Sequence, residues 1–112
     1  MQGNPPYYTE SRIEKQISKL SGFSMDEIMT KVDGKHTPSE VKEARGFYAI
    51  IMIECFDFSH QYVLNRWKTL SRHDLDHARG AVRRRIETSN GFRYRWAPII
   101  RIINKFKGKI NG

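Results

Sequence analysis

The chain has 112 residues, 38% of them apolar, a formal charge of +8 and one cysteine, Cys55. That length suits one domain with its own core, and the single cysteine excludes an internal disulfide framework. The charge favours an anionic partner, nucleic acid before an acidic membrane surface, and the longest apolar run, 47–53, is too short to span a bilayer.

The charge is unevenly spread. Residues 1–65 carry 7 Lys/Arg and 9 Asp/Glu, whereas residues 66–112 carry 13 Lys/Arg and 3 Asp/Glu. This asymmetry reads as a directed basic face built by the second half. Cys55 lies in an apolar run and reads as a small buried hydrophobe.

Pro5-Pro6-Tyr7-Tyr8 reads as an extended arm over residues 1–8, without the basic and apolar segments of a secretory signal. Thr9 or Ser11 caps a first helix, with Glu14 completing a Ser-x-x-Glu box and Ile13, Ile17 and Leu20 on one face. Gly22 ends it. Ser24 and Glu27 form a second box opening a short helix with Met25, Ile28 and Met29. A loop centred on Asp33-Gly34 follows. Thr37 and Glu40 make a third box, with Pro38 at the first helical position. Val41, Ala44, Phe47, Tyr48, Ile51, Met52 and Cys55 recur at three- and four-residue steps, which predicts a long central helix closed by Phe56-Asp57-Phe58.

Ser59 caps a short helix carrying Tyr62, Val63 and Trp67, and Thr69-Leu70 makes a turn. Ser71 and Asp74 then cap a helix that buries Leu75, Ala78, Val82 and Ile86 and exposes Arg72, Asp76, Arg79 and Arg83. Ser89-Asn90-Gly91 stops it. Phe92 to Trp96 alternates aromatic and basic residues and reads as a return to the core. Pro98 starts a last helix with Ile99, Ile102, Ile103 and Phe106 opposite Arg101, Lys105 and Lys109. The expected fold class is all-α: a helical bundle with a central long helix, a helix-turn-helix and a basic amphipathic C-terminal helix. The expected division is an arm at 1–8, the helix-turn-helix domain at 9–88 and a basic extension at 89–112.

Ala44-Arg45, Ser59, Val63, Trp67, Leu75 and His77-Ala78 fall in one ungapped register. In that register residues 44–78 resemble the C-terminal DNA-binding domain of the bacterial replication initiator DnaA, a Trp-repressor-like helix-turn-helix. That family shows A-R, S-x-x-x-I, a Phe ending the short helix, and D-H-T-T-V-x-H-A. Phe23-Ser24-x-Asp26-Glu27-Ile28-x-x-Lys31 resembles the family's first helix, so the likeness covers roughly residues 12–88. The chain departs from the pattern where the family reads bases, with Ser71-Arg72-His73-Asp74 in place of D-H-T-T. Lys68-Thr69 replaces a glycine pair, and the family's arginine-rich loop becomes a longer, nearly neutral one. The resemblance implies the DNA-binding module and not the ATP-driven initiator.

The first turn of a recognition helix reaches base edges in the major groove, and its free N–H groups suit a phosphate. Ser71, Arg72, His73 and Asp76 are the expected base-reading residues; an arginine can bond guanine O6 and N7 together. Arg66, Lys68, Arg79, Arg83, Arg84, Arg85, Lys31, Lys35 and His36 are the expected phosphate contacts. Arg45 reads equally as a structural ion pair or a DNA contact. The expected function is sequence-preferring binding of double-stranded DNA, as a regulator or replication accessory. A second reading is a helical interaction module that has lost DNA binding and holds a second copy or another protein through Ile99, Ile102, Ile103 and Phe106. A third is a metal-dependent hydrolase using His73 and His77 with Asp74 or Asp76, a set short of a full ligand complement. No nucleophile–base pair, phosphate loop or cofactor motif is legible, so no enzyme activity, cofactor or metal is expected. The expected location is cytoplasmic, in a bacterium or a phage-derived element.

Overall fold

Thr9 sets the first helix: its hydroxyl accepts from the Arg12 amide at 3.2 Å, and helix α1 runs Glu10–Ser21. Gly22 ends α1 in a left-handed conformation at φ 83°, which costs a glycine little. The structure is a computed structural model and describes residues 9–32, 34 and 36–111, with side chains as far as residue 106. The expected arm at 1–8, Lys35 and the Lys109 side chain lie outside the described residues.

Ser24 and Glu27 close a full capping box on α2, Met25–Met29. The third box expected at Thr37 does not form. Helix α3 runs Ser39–Ala49 with Pro38 as its cap residue and no side-chain cap; the Pro38 carbonyl accepts from Val41 and Lys42. The backbone of Pro38 thus does the work assigned to the Thr37 hydroxyl. The central helix was expected to run unbroken to Cys55, but it changes to a π-helix over Ile50–Cys55. The Phe56 amide reaches back five residues to the Ile51 carbonyl at 2.8 Å. Ile50, Ile51 and Met52 are all buried in succession, so this stretch is covered on more than one side. The chain then turns at Asp57, whose φ of 63° lies in the left-handed region that aspartate tolerates.

Ser59 caps α4, His60–Arg66, and Ser71 caps α5, Arg72–Thr88. Ser89 both ends α5 and caps α6, Asn90–Arg95, so the expected stop at residues 89–91 is a tight corner between helices. Helix α7 runs Ala97–Asn111. The described residues form an all-α fold without strands.

One core joins these helices. Ile13, Ile17, Ile28, Phe47, Tyr48, Leu75, Trp96 and Ile99 are essentially inaccessible. Each such side chain contributes roughly 1.5–3 kcal/mol by leaving water. Phe47 packs against Trp96 at 4.7 Å between ring centroids and against Phe92 at 5.6 Å. The boundary drawn at residue 88 therefore runs through shared packing: the segment after it closes the core. Ile99 and Ile103 are buried there and are not free to hold a partner; Ile102 and Phe106 are partly exposed, and Phe106 packs on Phe56 at 5.5 Å. Cys55 is half-buried rather than sealed. No helix among the described residues is long and apolar enough to cross a membrane.

Helix α3 packs most extensively on α5, and Gly46 sets their separation. A Cβ at Gly46 would stand 2.4 Å from Val82 Cγ2 and 2.5 Å from the Ala78 carbonyl oxygen. The carbonyl cannot step aside without moving α5. At Gly80, on the outer side of α5, a Cβ meets only the end of Arg84 at 3.5 Å. Gly46→Ala is therefore expected to destabilise the chain by about 1–3 kcal/mol, the cost of overpacking exceeding the gain in helix propensity. Gly80→Ala is expected to stabilise it by about 0.5–1 kcal/mol. Urea denaturation of the two variants checks this, and effects of the same sign would contradict the assigned close approach.

Candidate nucleic-acid interface

Helix α4, the turn at 67–71 and helix α5 follow one another in the order expected of a helix-turn-helix. Three separate ties fix its geometry. The Ser71 amide donates to Asp74 Oδ2 at 2.8 Å and the Asp74 amide to Ser71 Oγ at 3.1 Å, a complete capping box. The Lys31 amide donates to Thr69 Oγ1 at 2.8 Å, while Lys31 Nζ meets Asp74 Oδ1 at 3.2 Å. Beneath the short helix, Trp67 Nε1 donates to the Tyr48 hydroxyl at 3.1 Å, and that hydroxyl donates to Glu14 at 3.3 Å. Burial pushes the Tyr48 phenol well above its ordinary pKa, so it stays a donor at any ordinary pH.

The expected base-reading residues come together. Ser71, Arg72, His73 and Asp76 are all exposed around the first turn of α5, and the Arg72 side chain is 71% exposed. Asp74, by contrast, is turned inward and engaged. Burial raises its pKa, but hydrogen bonds from Ser71 and Lys31 outweigh that and hold it below the usual carboxylate range.

The expected phosphate contacts are far less free. Arg66 pairs with Glu14 at 2.8 Å and Glu10 at 3.4 Å and lies over the Trp67 ring at 5.1 Å. Arg79 was expected to be exposed; it is only 20% exposed and pairs with Glu54 at 2.9 Å and Asp76 at 2.5 Å. Its buried Nε has no hydrogen-bond partner among the described residues. Arg79 holds α5 to the π-helical stretch. Arg83 also pairs with Glu54, and Arg85 pairs with Glu43 at 3.7 Å while covering Phe92 at 4.8 Å. Lys31 is committed to Asp74. Among the described residues Lys68, Arg84 and His36 remain without an ion pair, and Arg72 has only a 3.8 Å contact to Asp76. His73, His77 and Arg84 succeed one another at steps of four and seven, which puts them on one outward strip of α5. Arg72, Asp76, Arg79 and Arg83 form the neighbouring strip, toward α4 and Glu54.

The two histidines stack at 6.0 Å between ring centroids. Asp74 is held by Ser71 and Lys31 and Asp76 by Arg79 and His60, so neither carboxylate joins them. No group of three metal-ligating side chains assembles among the described residues.

Sequence reading missed the acidic partners: Glu10, Glu14, Glu43 and Glu54 lie 25 to 56 positions from the arginines they neutralise. The available signal was the charge asymmetry itself, since an acidic half beside a basic half is arranged to pair.

Hydrogen bonds from Arg79 and His60 draw the Asp76 pKa down to about 2. A carboxylate depressed this way adds stability above its unfolded value of about 3.9 and loses it as pH falls toward 2. Asp76→Asn is accordingly expected to cost stability at pH 5–7, with the difference from the parent chain vanishing between about pH 4 and 2. Urea unfolding across that range reads the difference; a cost that persists at pH 2 would show that Asp76 acts through packing instead.

No family model, curated protein or solved structure matches this chain.

Proposed function

We propose that the chain binds double-stranded DNA with a sequence preference, through a helix-turn-helix resembling that of the replication initiator DnaA, as a regulator or replication accessory. The observation that carries this reading is the first turn of α5. A rigidly capped 17-residue helix presents Arg72 and His73 to solvent beside the unpaired Lys68 of the turn. That is the arrangement a recognition helix needs: backbone donors and cations at its start, and a side chain able to take a guanine edge. Arg72 and His73 are assigned to bases, Ser71 to a phosphate or base, and Lys68 and Arg84 to phosphates. Asp76 orients Arg72 and Arg79.

A second reading, a helical interaction module without DNA binding, draws support from the five expected phosphate contacts already paired with carboxylates: Lys31, Arg66, Arg79, Arg83 and Arg85. A phosphate would have to displace Glu54 or Glu43 to reach the last three.

Fluorescence anisotropy with duplex DNA over a salt series separates the two. With Lys68, Arg84 and a helix N-terminus as the free phosphate contacts, log affinity is expected to fall with log salt at a slope of about −2 to −3, at roughly −0.9 per phosphate. Arg84→Ala should weaken all duplexes alike and reduce the slope by about one, whereas Arg72→Ala should relax sequence preference by roughly 1–3 kcal/mol. Absence of binding at low salt would sink the DNA reading in favour of the interaction module.

A further inference from the structure

Arg45 is nine-tenths buried on the first half of α3. Its Nε donates to the Ile28 carbonyl at 2.9 Å. Its two terminal nitrogens have no hydrogen bond or ion pair among the described residues, yet neither is sealed from solvent. Arg45 lines a half-enclosed cavity of about 460 Å³ between α3, the segment after α2, and α5. Removal from water pulls the guanidinium below its ordinary pKa, with Asp74 opposing through space.

The cavity walls hold four cations, Lys31, Lys42, Arg45 and Arg85, and two carboxylates, Asp74 and Glu43. Lys31 is matched by Asp74 at 3.2 Å and Arg85 by Glu43 at 3.7 Å. Lys42 and Arg45 are left without a carboxylate. His73 and His77 add ring nitrogens from the α5 wall.

We propose that this cavity binds a phosphate-class anion, seated on the terminal nitrogens of Arg45 and drawn in by Lys42. The planar guanidinium fork matches two oxygens of a phosphate, and its fixed Nε bond to Ile28 aims the fork in advance. Two positive charges without carboxylates suit a dianion. Two sources supply that chemistry: a free phosphate monoester or inorganic phosphate, and a backbone phosphate of bound duplex. Only the second rests on the DNA-binding reading.

The test is an NMR titration of the full chain with inorganic phosphate at constant ionic strength, with chloride as control, alone and with saturating duplex. Saturable shifts are expected at the Arg45 Nε–H and at amides 42–46 and 73–77. Arg45→Gln should abolish them. Lys42→Gln changes an exposed side chain and keeps the fold, and it should weaken phosphate binding roughly three- to tenfold. If duplex blocks the phosphate shifts and Lys42→Gln weakens duplex binding, the ligand is a backbone phosphate. If phosphate binds beside duplex and Lys42→Gln leaves duplex affinity unchanged, it is a free phosphate. Should no duplex bind at all, the phosphate shifts still report on the cavity. Shifts that do not saturate and are matched by chloride, or unchanged phosphate affinity in Lys42→Gln, overturn the proposal.

Discussion

The close approach of α3 and α5 at Gly46 is the constraint on which the molecule depends. With no side chain at that position, α3 meets the Ala78 carbonyl and the Val82 methyl directly. That contact sets the height of α5 above the core. It also fixes the width of the Arg45 cavity on one flank and the reach of Arg79 to Glu54 on the other. Phe92, Trp96 and Ile99 then close the remaining side of α3, so the last two helices hold the platform from behind. Trp96 Nε1 satisfies the buried Glu43 carboxylate at 3.0 Å, tying the closure to the same helix.

Charge in this chain is used mainly to hold it together. Of eleven ion pairs among the described residues, nine link a residue before position 66 to one at or after it, and the two exceptions, Arg72–Asp76 and Asp76–Arg79, lie within α5. Individually such partly exposed pairs are worth about 0–1 kcal/mol, so their importance is in orientation. They pin α1 to α4 through Arg66 and α5 to the π-helical stretch through Arg79 and Arg83. Of the expected phosphate contacts among the described residues, Lys68, Arg84 and His36 are left without a carboxylate, and Lys42 and Arg45 are likewise unmatched at the cavity. Much of the basic charge of the second half is thus matched by carboxylates of the first.

Much of the fold was legible because it is written in local chemistry. The boxes at Ser24–Glu27 and Ser71–Asp74, the cap at Ser59 and the stop at Gly22 each need only a few neighbouring residues, and each forms as read. Thr37 failed because a proline one residue later fixes the backbone so that its own carbonyl opens the helix. The π-helical stretch was illegible because a continuous apolar run such as Ile50 to Ile53 carries no periodicity that separates one helix type from another. At the candidate interface, the exposed first turn of α5 was legible from the cap that starts it. The fate of Arg79, Arg83 and Arg85 was not, because it depends on glutamates brought close only by tertiary packing. Arg45 stood between two readings in the sequence, an ion pair or a DNA contact; it forms neither an ion pair nor a simple surface cation but lines a cavity.

Under the proposed function, the exposed first turn of α5 and the outward strip that continues from it meet duplex DNA. Mapping amide shifts of the chain on a short duplex tests it most directly. The predicted footprint covers residues 68–73, 77 and 84 and spares α1 and the outer face of α7. A footprint centred on α7, or none at all with duplex in excess, would contradict it.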